Sequence, residues 1–412
     1  MLAVERFSIA NFFIPCFYPW GQSLGCCYHS MVPALPLLFP MSSLSPLIAR
    51  RIRQDVQSMH AYTIQNAQGM VKLDAMENPH RLPPALQAEL GRRLGSLALN
   101  RYPDGRVDDL RRALAQYADM PTGFDIMLGN GSDELISLLS MACAVSADAV
   151  TGKKPVALAP VPGFVMYAMS AQLQGLDFVG VPLTPAFELD EAAMCAAIRL
   201  HQPALVYLAY PNNPTANLWD ADVMERIIAT TAEVGGLVVL DEAYQPFSSR
   251  TWLDVMRAKP ENNQHVLLMR TLSKFGLAGI RLGYMLGAAE LIHQIDKVRP
   301  PYNVSVLNYE CALFAIENKD VFVAQAKDIC EQRAILLESL RTLQGVTVWE
   351  SDANMIVVRV PDAQRTFNGL KQAGVLVKNI STMHPLLAQC LRLTVGTEAE
   401  NKQLFAALID SL

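Results

Sequence analysis

The segment R-T-L-S-K-F-G-L-A-G-I-R-L-G-Y at residues 270–284 combines hydroxyl, amine and guanidinium side chains with three glycines. It follows the apolar run H-V-L-L-M at residues 265–269, which is typical of a buried strand. Gly276, Gly279 and Gly283 would let the backbone turn tightly and approach a ligand closely. The composition therefore predicts a ligand-binding loop directly after a buried strand.

Three side chains of this segment are suited to hold a phosphate group. Thr271, Ser273 and Arg281 can donate hydrogen bonds to a single phosphate. Lys274 would lie beside them, and a partly desolvated lysine next to other cations has a lowered pKa, which makes its amine a nucleophile toward carbonyl groups. A phosphate site beside a nucleophilic lysine suggests pyridoxal phosphate. Taken alone, the segment is equally compatible with a solvated lysine before a glycine-rich turn.

The composition of the 412-residue chain, 51% hydrophobic and 18% charged, indicates a globular protein with a large buried core. A formal net charge of -5, with R-R-I-R at residues 50–53 as the one basic cluster, argues against nucleic-acid binding. Apolar runs fall short of the roughly 20 residues needed to span a bilayer, so no membrane partner is predicted. The eight cysteines follow neither metal-ligand nor disulfide spacing, which predicts no metal site and a reducing, cytoplasmic location.

Residues 1–40 differ in composition from the rest of the chain. They hold two charged residues, Glu5 and Arg6, but eight of the thirty-one aromatic residues. A secretory signal is an alternative, although one arginine offset by a glutamate and the lack of a clean apolar core argue against it. We expect an atypical, non-native extension with Met41 as the physiological start, because conventionally amphipathic sequence begins at Ser42.

Beyond residue 150, short apolar runs alternate with helical patterns. This alternation predicts an α/β fold with a mainly parallel sheet covered by helices on both faces, in which ligands bind at the carboxyl ends of the strands. After Pro300 and Pro301, longer helices and short strands indicate a second, smaller α+β domain. The predicted strands are residues 156–159, 177–181, 204–210, 236–241, 265–269 and 280–286, then 346–350, 354–360, 375–378 and 391–395. The predicted parts are an N-terminal arm at 41–69, a large cofactor-binding domain at 70–299 and a small domain at 300–412.

A glycine turn leads into a helix at L-G-N-G-S-D-E-L-I, residues 128–136. Ser132 or Asp133 is available as the N-cap of that helix. Free backbone amides at a helix N-terminus bind anions, so this turn can form the second half of a phosphate cup. An ordinary capped helix is the alternative when the motif is taken alone.

Two polar motifs follow predicted strands, P-N-N-P-T at residues 211–215 and D-E-A-Y at residues 241–244. Asp241 at the end of a buried strand is costly unless it meets a cation. The protonated ring nitrogen of pyridoxal phosphate would be that cation, and the pairing would keep the ring an electron sink. A buried aspartate satisfied by other groups is the alternative.

Other side chains near these motifs are suited to the rest of the cofactor. Asn213 and Tyr244 could hydrogen-bond its phenolic oxygen, and Phe164 in P-G-F-V-M-Y could stack on its ring. Taken singly, these features are also typical of a proline-rich turn and core aromatics. Their joint occurrence in one order favours a cofactor site.

In this order the motifs resemble those of the class I and II aminotransferases, and more closely the histidinol-phosphate aminotransferases among them, over residues 53–412. The resemblance implies the fold-type-I architecture and pyridoxal 5'-phosphate as cofactor. The matching pieces are Tyr62, L-D-A-M-E-N-P at 73–79, N-R-Y-P-D-G at 100–105, G-N-G-S-D-E at 129–134, Y-P-N-N-P-T at 210–215, L-D-E-A-Y at 240–244, R-T-L-S-K at 270–274 with Arg281, and C-L-R-L-T-V-G at 390–396.

The resemblance also implies the roles of individual residues. Lys274 would bind the cofactor as a Schiff base, and Arg392 would bind the substrate α-carboxylate. The active sites would lie at the interface of a homodimer, where Tyr102 reaches the phosphate bound by the partner subunit. The further residues implied at the cofactor are Gly131, Ser132, Asp133, Phe164, Asn213, Asp241, Tyr244, Thr271, Ser273 and Arg281, and those implied at the substrate are Tyr62, Tyr102, Asn213, Lys378 and Arg392.

Three positions depart from the family pattern. Ala216 stands where glycine usually follows P-N-N-P-T, and Met76 stands where asparagine is common. Lys378 occupies a position often held by an arginine that contacts the substrate phosphate. Lysine supplies charge without the bidentate fork of arginine, so a solvated lysine at the end of a strand is an equal alternative there.

The activity that the resemblance implies is transamination of L-histidinol phosphate with 2-oxoglutarate. The substrate phosphate would be held by Arg392, Tyr62 and Lys378, and Arg392 would take the carboxylate of glutamate in the other half-reaction. The same scaffold also serves aromatic aminotransferases and threonine-phosphate decarboxylase. A catalytically silent regulatory protein that binds the cofactor is the alternative outside enzymes.

Overall fold

The computed structural model describes residues 46–59, 65–103, 106–144 and 152–412. The extension predicted at residues 1–40, the expected start at Met41 and the candidate residue Tyr62 lie outside these ranges. The chain divides into two compact units, residues 1–62 and 63–412. The elements described in the first unit are helices α1 (Pro46–Arg51) and α2 (Gln54–Ser58). Among the described residues, no helix has both the length and the apolar character required to cross a membrane.

The second unit alternates strands and helices. Its strands are β1 (Val71–Lys72), β2 (Phe124–Gly129), β3 (Val156–Val161), β4 (Asp177–Pro182), β5 (Leu205–Ala209), β6 (Leu237–Asp241), β7 (Val266–Thr271), β8 (Gly283–Ala288), β9 (Thr347–Val348), β10 (Met355–Arg359), β11 (Val375–Leu376), β12 (Lys378–Asn379) and β13 (Cys390–Thr394). Its helices are α3 (Pro84–Gly95), α4 (Arg106–Ala118), α5 (Ser132–Ala142), α6 (Val165–Gln174), α7 (Glu191–His201), α8 (Ala221–Glu233), α9 (Leu253–Ala258), α10 (Ala289–Asp296), α11 (Val306–Glu317), α12 (Lys319–Arg341), α13 (Ala363–Gln372) and α14 (Glu398–Ser411).

The central sheet of the described chain has seven strands in the order β2-β8-β7-β6-β5-β3-β4. Strands β3 to β7 pair in parallel, whereas β8 runs antiparallel to both β2 and β7. The predicted α/β fold with a mainly parallel sheet is therefore confirmed. The sequence patterns did not predict β2, because Asp125 interrupts its apolar run and the run continues directly into the glycine turn.

The inner parallel strands are apolar because both faces of the sheet are covered. Along β6, Val238 and Leu240 pack into one hydrophobic cluster, whereas Val239 between them packs into another on the opposite face. The first cluster includes side chains of α4, α7, α8 and α11, and the second includes those of α5, α6 and α10. Full burial of a valine or leucine stabilises the fold by about 1.5–3 kcal/mol, so these strands hold a rigid frame.

The sheet places the carboxyl ends of three strands, with polar residues at or just after each end, along one edge. β5 ends at Ala209 just before the P-N-N-P-T motif, β6 ends at Asp241, and β7 ends at Thr271. These strands are parallel neighbours in the order β7-β6-β5, so their carboxyl ends lie side by side. The residues that follow them are therefore adjacent in space although they are about 30 residues apart along the chain.

The C-terminal part contains a four-stranded antiparallel sheet in the order β12-β13-β10-β9. The single strand predicted at residues 375–378 was wrong: β11 and β12 flank Val377 and belong to different sheets. β11 pairs in parallel with β1, a strand that the sequence patterns did not predict. Two-residue strands carry too little periodicity to be recognised from sequence. The predicted domain limits at residues 69/70 and 299/300 stay predictions.

Candidate active site

A cavity of about 130 Å³ lies at the carboxyl ends of β5, β6 and β7. Most residues predicted to contact the cofactor line it, together with several that were not assigned to the cofactor. The predicted ones are Ser132, Asp133, Phe164, Asn213, Asp241, Tyr244, Thr271, Ser273, Lys274 and Arg281, and the others are Met76, Tyr167, Ala209, Pro211 and Ala243. The cavity is therefore built from segments spread over more than 200 residues of sequence.

Lys274 follows β7 in a short turn, Ser273–Leu277, whose helical backbone is interrupted at Gly276. Its Nζ donates a hydrogen bond to the carbonyl oxygen of Ala75 at 3.0 Å and lies 5.9 Å from the centre of the Tyr244 ring. The pKa of the Lys274 amine is lowered to about 8, first by burial and second by the nearby Arg392 cation. A substantial fraction of the amine is therefore neutral, and so nucleophilic, near neutral pH.

Two of the three glycines in this loop are required by close approaches. Gly276 has a φ of 139°, and a Cβ there would lie 2.7 Å from the Phe322 ring. A Cβ on Gly283 would lie 2.9 Å from the backbone nitrogen of Ser132, so Gly283 lets β8 pass against the start of α5. A Cβ on Gly279 would meet only open space in the described structure, so the expectation that Gly279 lets the backbone approach a ligand stays a prediction.

The hydroxyls of Thr271 and Ser273 face the same cavity as Arg281. Thr271 Oγ1 donates to Ser273 Oγ at 3.0 Å and accepts a hydrogen bond from the backbone N–H of Ser273 at 3.1 Å. Arg281 Nη2 lies 3.2 Å from Asp133 Oδ2, and this ion pair is half-exposed. The loop thus presents two hydroxyls and a guanidinium to one region, a donor set that suits a phosphate.

Helix α5 begins beside these donors. Its N-cap is Gly131 with a φ of 83°, and no side chain caps the helix, so the predicted N-cap at Ser132 or Asp133 was wrong. The backbone enters the helix at Gly131 in a positive-φ conformation, which glycine adopts far more readily than residues with a side chain. Ser132 and Asp133 instead form the first turn, where uncapped backbone N–H groups attract an anion.

The Asp241 carboxylate is buried and lines the same cavity. It accepts hydrogen bonds from the Tyr167 hydroxyl at 2.6 Å and from the Ala243 N–H at 3.1 Å, both of which are neutral donors. Burial raises the pKa of Asp241 to about 6 despite these bonds. A buried carboxylate held by neutral donors is suited to a cationic ligand group.

The loop that contains Asp74, Ala75 and Met76 covers the lysine side of the cavity. Its three successive carbonyl oxygens accept hydrogen bonds, each 3.0 Å long, from Arg392 Nη2, Lys274 Nζ and Asn354 Nδ2 respectively. The Met76 N–H also donates to Thr394 Oγ1 at 3.0 Å. The loop backbone is therefore fixed to the C-terminal sheet and to the lysine together.

Two of the departures from the family pattern share one backbone feature. Met76 has a φ of 51° and Ala216 a φ of 67°, both in the left-handed region. Glycine and asparagine, the residues expected there, adopt this region more readily than other residues do. Both positions are therefore in the left-handed conformation although methionine and alanine adopt it only with backbone strain.

Arg392 and Lys378 lie beside the cavity on the C-terminal sheet. Arg392 is 9% exposed, and its Nη1 donates to Asn213 Oδ1 at 2.9 Å. Lys378 stands opposite Arg392 in the register of β12 and β13, and it is partly buried. Neither Lys378 nor Arg392 is among the residues that line the cavity itself, and Arg392 adjoins it through Asn213.

Tyr102 is not brought into this cavity. Its side chain is 76% exposed and its ring stacks on that of Tyr302, with centroids 4.5 Å apart. Tyr302 is itself 55% exposed, so the pair forms an aromatic patch on the surface.

Sequence reasoning missed Tyr167 and a buried ion pair. Tyr167 lies three residues after Phe164, and this spacing at the start of a helix places two aromatic residues on one side. Arg270 Nη2 lies 2.8 Å from Glu242 Oε2, with side chains only 8% and 0% exposed. Because these two residues adjoin Thr271 and Asp241, the pair ties together the strand ends that line the cavity.

Comparison with known proteins gives a consistent set of relatives. The model of the family described as aminotransferase class I and II matches residues 68–408. The chain is 69% identical over 373 residues to the histidinol-phosphate aminotransferase of Polaromonas naphthalenivorans, covering 90% of this chain and 99% of that protein. It is 65% identical over 365 residues to that of Methylibium petroleiphilum, covering 89% and 95%.

The fold is also similar to solved structures. The histidinol-phosphate aminotransferase from Sinorhizobium meliloti, in complex with pyridoxal-5'-phosphate, aligns with a TM-score of 0.75 and 24% identity. The alignment covers 90% of this chain and 98% of that chain. At this identity the likeness concerns the architecture, which is that of the fold-type-I enzymes.

Proposed function

The chain belongs to the aminotransferase class I and II family, and we propose that it transfers the amino group of L-histidinol phosphate to 2-oxoglutarate. The products are imidazole-acetol phosphate and glutamate, and the reaction is a reversible step of histidine biosynthesis. One observation carries the proposal. The Lys274 amine, whose pKa is lowered, lines the same cavity as the Asp241 carboxylate and the hydrogen-bond donors of the loop after β7 that are suited to a phosphate.

The cofactor is pyridoxal 5'-phosphate, which when bound supplies an aldehyde and a protonated, electron-withdrawing ring. The residues of the cavity fit this group by their chemistry. Thr271, Ser273, Arg281 and the first turn of α5 would hold the phosphate. Asp241 would bind the ring nitrogen, because its buried carboxylate has only neutral hydrogen-bond donors in the described structure.

Three further residues would hold the ring of the cofactor in place. Phe164 would stack on it, and Asn213 and Tyr244 would hydrogen-bond its phenolic oxygen. Tyr244 is buried, and burial raises the pKa of its hydroxyl well above the ordinary value, so it would act as a neutral donor. Arg392 already fixes Asn213 through the bond to its side-chain oxygen.

Lys274 would act as nucleophile and as proton carrier. Its neutral Nζ would hold the cofactor covalently through the aldehyde group, and once the substrate amine had taken its place, the freed Nζ would accept the proton from the substrate carbon that bears the amino group. The lowered pKa suits both tasks, because an amine with a pKa of about 8 gains and loses a proton readily near neutral pH. Ala75 O would orient this amine, as it accepts the Nζ hydrogen bond at 3.0 Å.

Substrate phosphate would be bound by Arg392 and Lys378, with Tyr62 as a further donor. The opposed positions of Arg392 and Lys378 on neighbouring strands support this role, because two cations on one sheet face attract a dianion. In the other half-reaction Arg392 would take the carboxylate of glutamate. One arginine would then bind two different anions in turn.

We further infer a cytoplasmic homodimer in which Tyr102 contributes to the partner's site. The exposed stack of Tyr102 on Tyr302 supports this inference, since a large aromatic pair on a surface is typical of an interface. Free thiols at the described cysteines, which form no disulfide with one another, suit a reducing compartment.

The test is an assay of the purified full chain with L-histidinol phosphate and 2-oxoglutarate, in which glutamate formation is measured. The matched reactions replace the donor with phenylalanine or with threonine phosphate. Glutamate formed fastest from histidinol phosphate supports the proposal. Faster turnover of phenylalanine, release of carbon dioxide from threonine phosphate, or cofactor binding with no turnover would each favour one of the alternatives.

A further inference from the structure

Tyr167 in the first turn of α6 contacts the buried carboxylate of the site directly. Its hydroxyl donates to Asp241 Oδ2 at 2.6 Å, while the Ala243 N–H donates to Oδ1 at 3.1 Å. Tyr167 is 2% exposed and Asp241 5% exposed, so both groups lie away from the outer surface of the protein. Each carboxylate oxygen has one protein donor, and together the two donors fix the plane of the carboxylate.

The ring of Tyr167 is itself fixed on two sides. It stacks on Tyr207 with ring centroids 4.3 Å apart and planes at 10°, and it meets Phe164 edge-on at 5.6 Å and 86°. Stacked and edge-to-face contacts of this kind are favourable geometries for aromatic pairs. The hydroxyl therefore cannot leave Asp241 unless the stack is broken.

We propose that Tyr167 is a positioning residue of the site, whose hydroxyl orients the Asp241 carboxylate toward the place that the ring nitrogen of the cofactor would take. The inference rests on the proposed function, since it requires a cofactor with a protonated ring nitrogen. Tyr167 acts through Asp241, and its role is distinct from that of Phe164, which would meet the cofactor ring itself.

The electrostatic surroundings of Asp241 make this hydroxyl important. Burial raises the pKa of Asp241, and the nearby carboxylates of Asp133 and Glu242 raise it further, whereas the Tyr167 hydrogen bond lowers it. Tyr207 and Tyr244 also lie close, and burial keeps both phenols neutral. Loss of the Tyr167 hydroxyl should therefore leave more of the carboxyl protonated at pH 7, and a neutral carboxyl attracts a pyridinium ion weakly.

The experiment compares cofactor binding by Tyr167→Phe in two backgrounds, the wild-type chain and the Asp241→Asn variant. The cofactor-free proteins are titrated with pyridoxal phosphate at pH 7 and pH 8.5. We expect Tyr167→Phe to raise the dissociation constant about tenfold at pH 7 in the wild-type background, and by less at pH 8.5. In the Asp241→Asn background the effect should be under about twofold, because the charge on which Tyr167 acts is gone.

Tyr207→Phe is the matched control. It removes an equally buried hydroxyl from the same aromatic stack, and that hydroxyl makes no hydrogen bond to Asp241. It should change the dissociation constant by less than about twofold. An equal loss of affinity from Tyr167→Phe in both backgrounds, or no loss in the wild-type background, would overturn the proposal.

A second readout needs no cofactor. The infrared band of the protonated carboxyl, identified by its loss in Asp241→Asn, is followed against pH in the wild-type and Tyr167→Phe proteins. The midpoint should move to higher pH in Tyr167→Phe, and an unchanged midpoint would also overturn the proposal. Failure of the wild-type chain to bind pyridoxal phosphate would instead refute the proposed function, and binding without turnover of histidinol phosphate would refute only the proposed substrate.

Discussion

Lys378 lies directly opposite Arg392 in the antiparallel pairing of β12 with β13, so the two cations share one face of the C-terminal sheet. Like charges at opposed positions destabilise a sheet unless an anion lies between them. The arrangement links a residue that departs from the family pattern to the arginine that the pattern contains. It is the basis for our first prediction, which concerns the substrate.

Lys378→Ala should weaken the binding of histidinol phosphate by about 1.5–3 kcal/mol, or roughly 10- to 150-fold, through loss of a charge-assisted bond. The same substitution should change the KM for glutamate, which has no phosphate, much less. Steady-state kinetics with both donors measure the difference. Lys371→Ala removes an exposed lysine from α13 and serves as control. An equal response of the two donors to Lys378→Ala would show that Lys378 does not bind the phosphate.

Lys274→Ala should abolish transamination, because no other described residue lining the cavity carries an amine. The variant should also lose the absorption band of covalently bound cofactor, as seen by spectroscopy after dialysis. Lys72→Ala is the control, because Lys72 is partly buried but pairs with Glu77 and Asp74. This variant should keep the absorption band of covalently bound cofactor. Normal turnover by Lys274→Ala would refute the central assignment.

Asp241→Asn should stabilise the cofactor-free protein at neutral pH. The pKa of Asp241 is raised from 3.8 to about 6 by burial, so its contribution to stability is present below pH 3.8 and is lost as the pH rises through 6. The ionised carboxylate thus costs on the order of 1–3 kcal/mol at pH 7. Urea unfolding of the cofactor-free variant should show a gain at pH 7.5 that shrinks at pH 5. A loss of stability at pH 7.5 would contradict this, and the variant should also bind pyridoxal phosphate more weakly.

Glu242→Gln should destabilise the fold by about 3–5 kcal/mol, because it leaves the Arg270 cation buried without a counter-ion. The exposed pair Arg226–Glu191 offers a matched control, and Glu191→Gln should cost under about 1 kcal/mol. Chemical denaturation of both variants measures the difference. Equal effects would mean that the buried pair has no special role in holding the strand ends.

Ala216→Gly should leave the free energy of unfolding within about 1 kcal/mol of the wild type. Glycine relieves the strain of a left-handed alanine, worth about 1–2 kcal/mol, and this gain offsets the loss of the buried methyl group and the greater entropy of the unfolded chain. Ala157 in β3 is the control, because it is equally buried but has no positive φ. Ala157→Gly should cost at least about 1 kcal/mol. Similar losses in thermal and urea unfolding at the two positions would show that Ala216 is not strained.

The sequence was most informative where one residue type is required by chemistry. The lysine, the hydroxyls and Asp241 were predicted from their positions after apolar runs, because a buried strand that ends in a polar group needs a reason to do so. The sheet followed from alternation of apolar runs. The alternation did not predict β2, or the separation of β11 from β12 at Val377, because a broken apolar run and two-residue strands have no clear period.

Other features depend on contacts that no local pattern contains. Tyr167 has the signature of an ordinary core aromatic, and only the fold places it against a carboxylate 74 residues away. The N-cap of α5 falls on Gly131 with a φ of 83°, a backbone conformation that the order of residues alone does not reveal. Tyr102 is exposed here, and its role was inferred from a resemblance and requires a second subunit.

The segment of β1 and the loop after it is bound to strands near the C-terminus, which limits when the molecule can finish folding during translation. Asp74 O, next to the lysine-facing carbonyl of Ala75, receives a hydrogen bond from Arg392, which is 318 residues further along the chain. A ribosome must therefore have made nearly the entire polypeptide before the loop over Lys274 can close. The central sheet can form earlier, because its strands end at residue 288, but the nascent chain carries its reactive amine in an unfinished pocket until the last strands emerge.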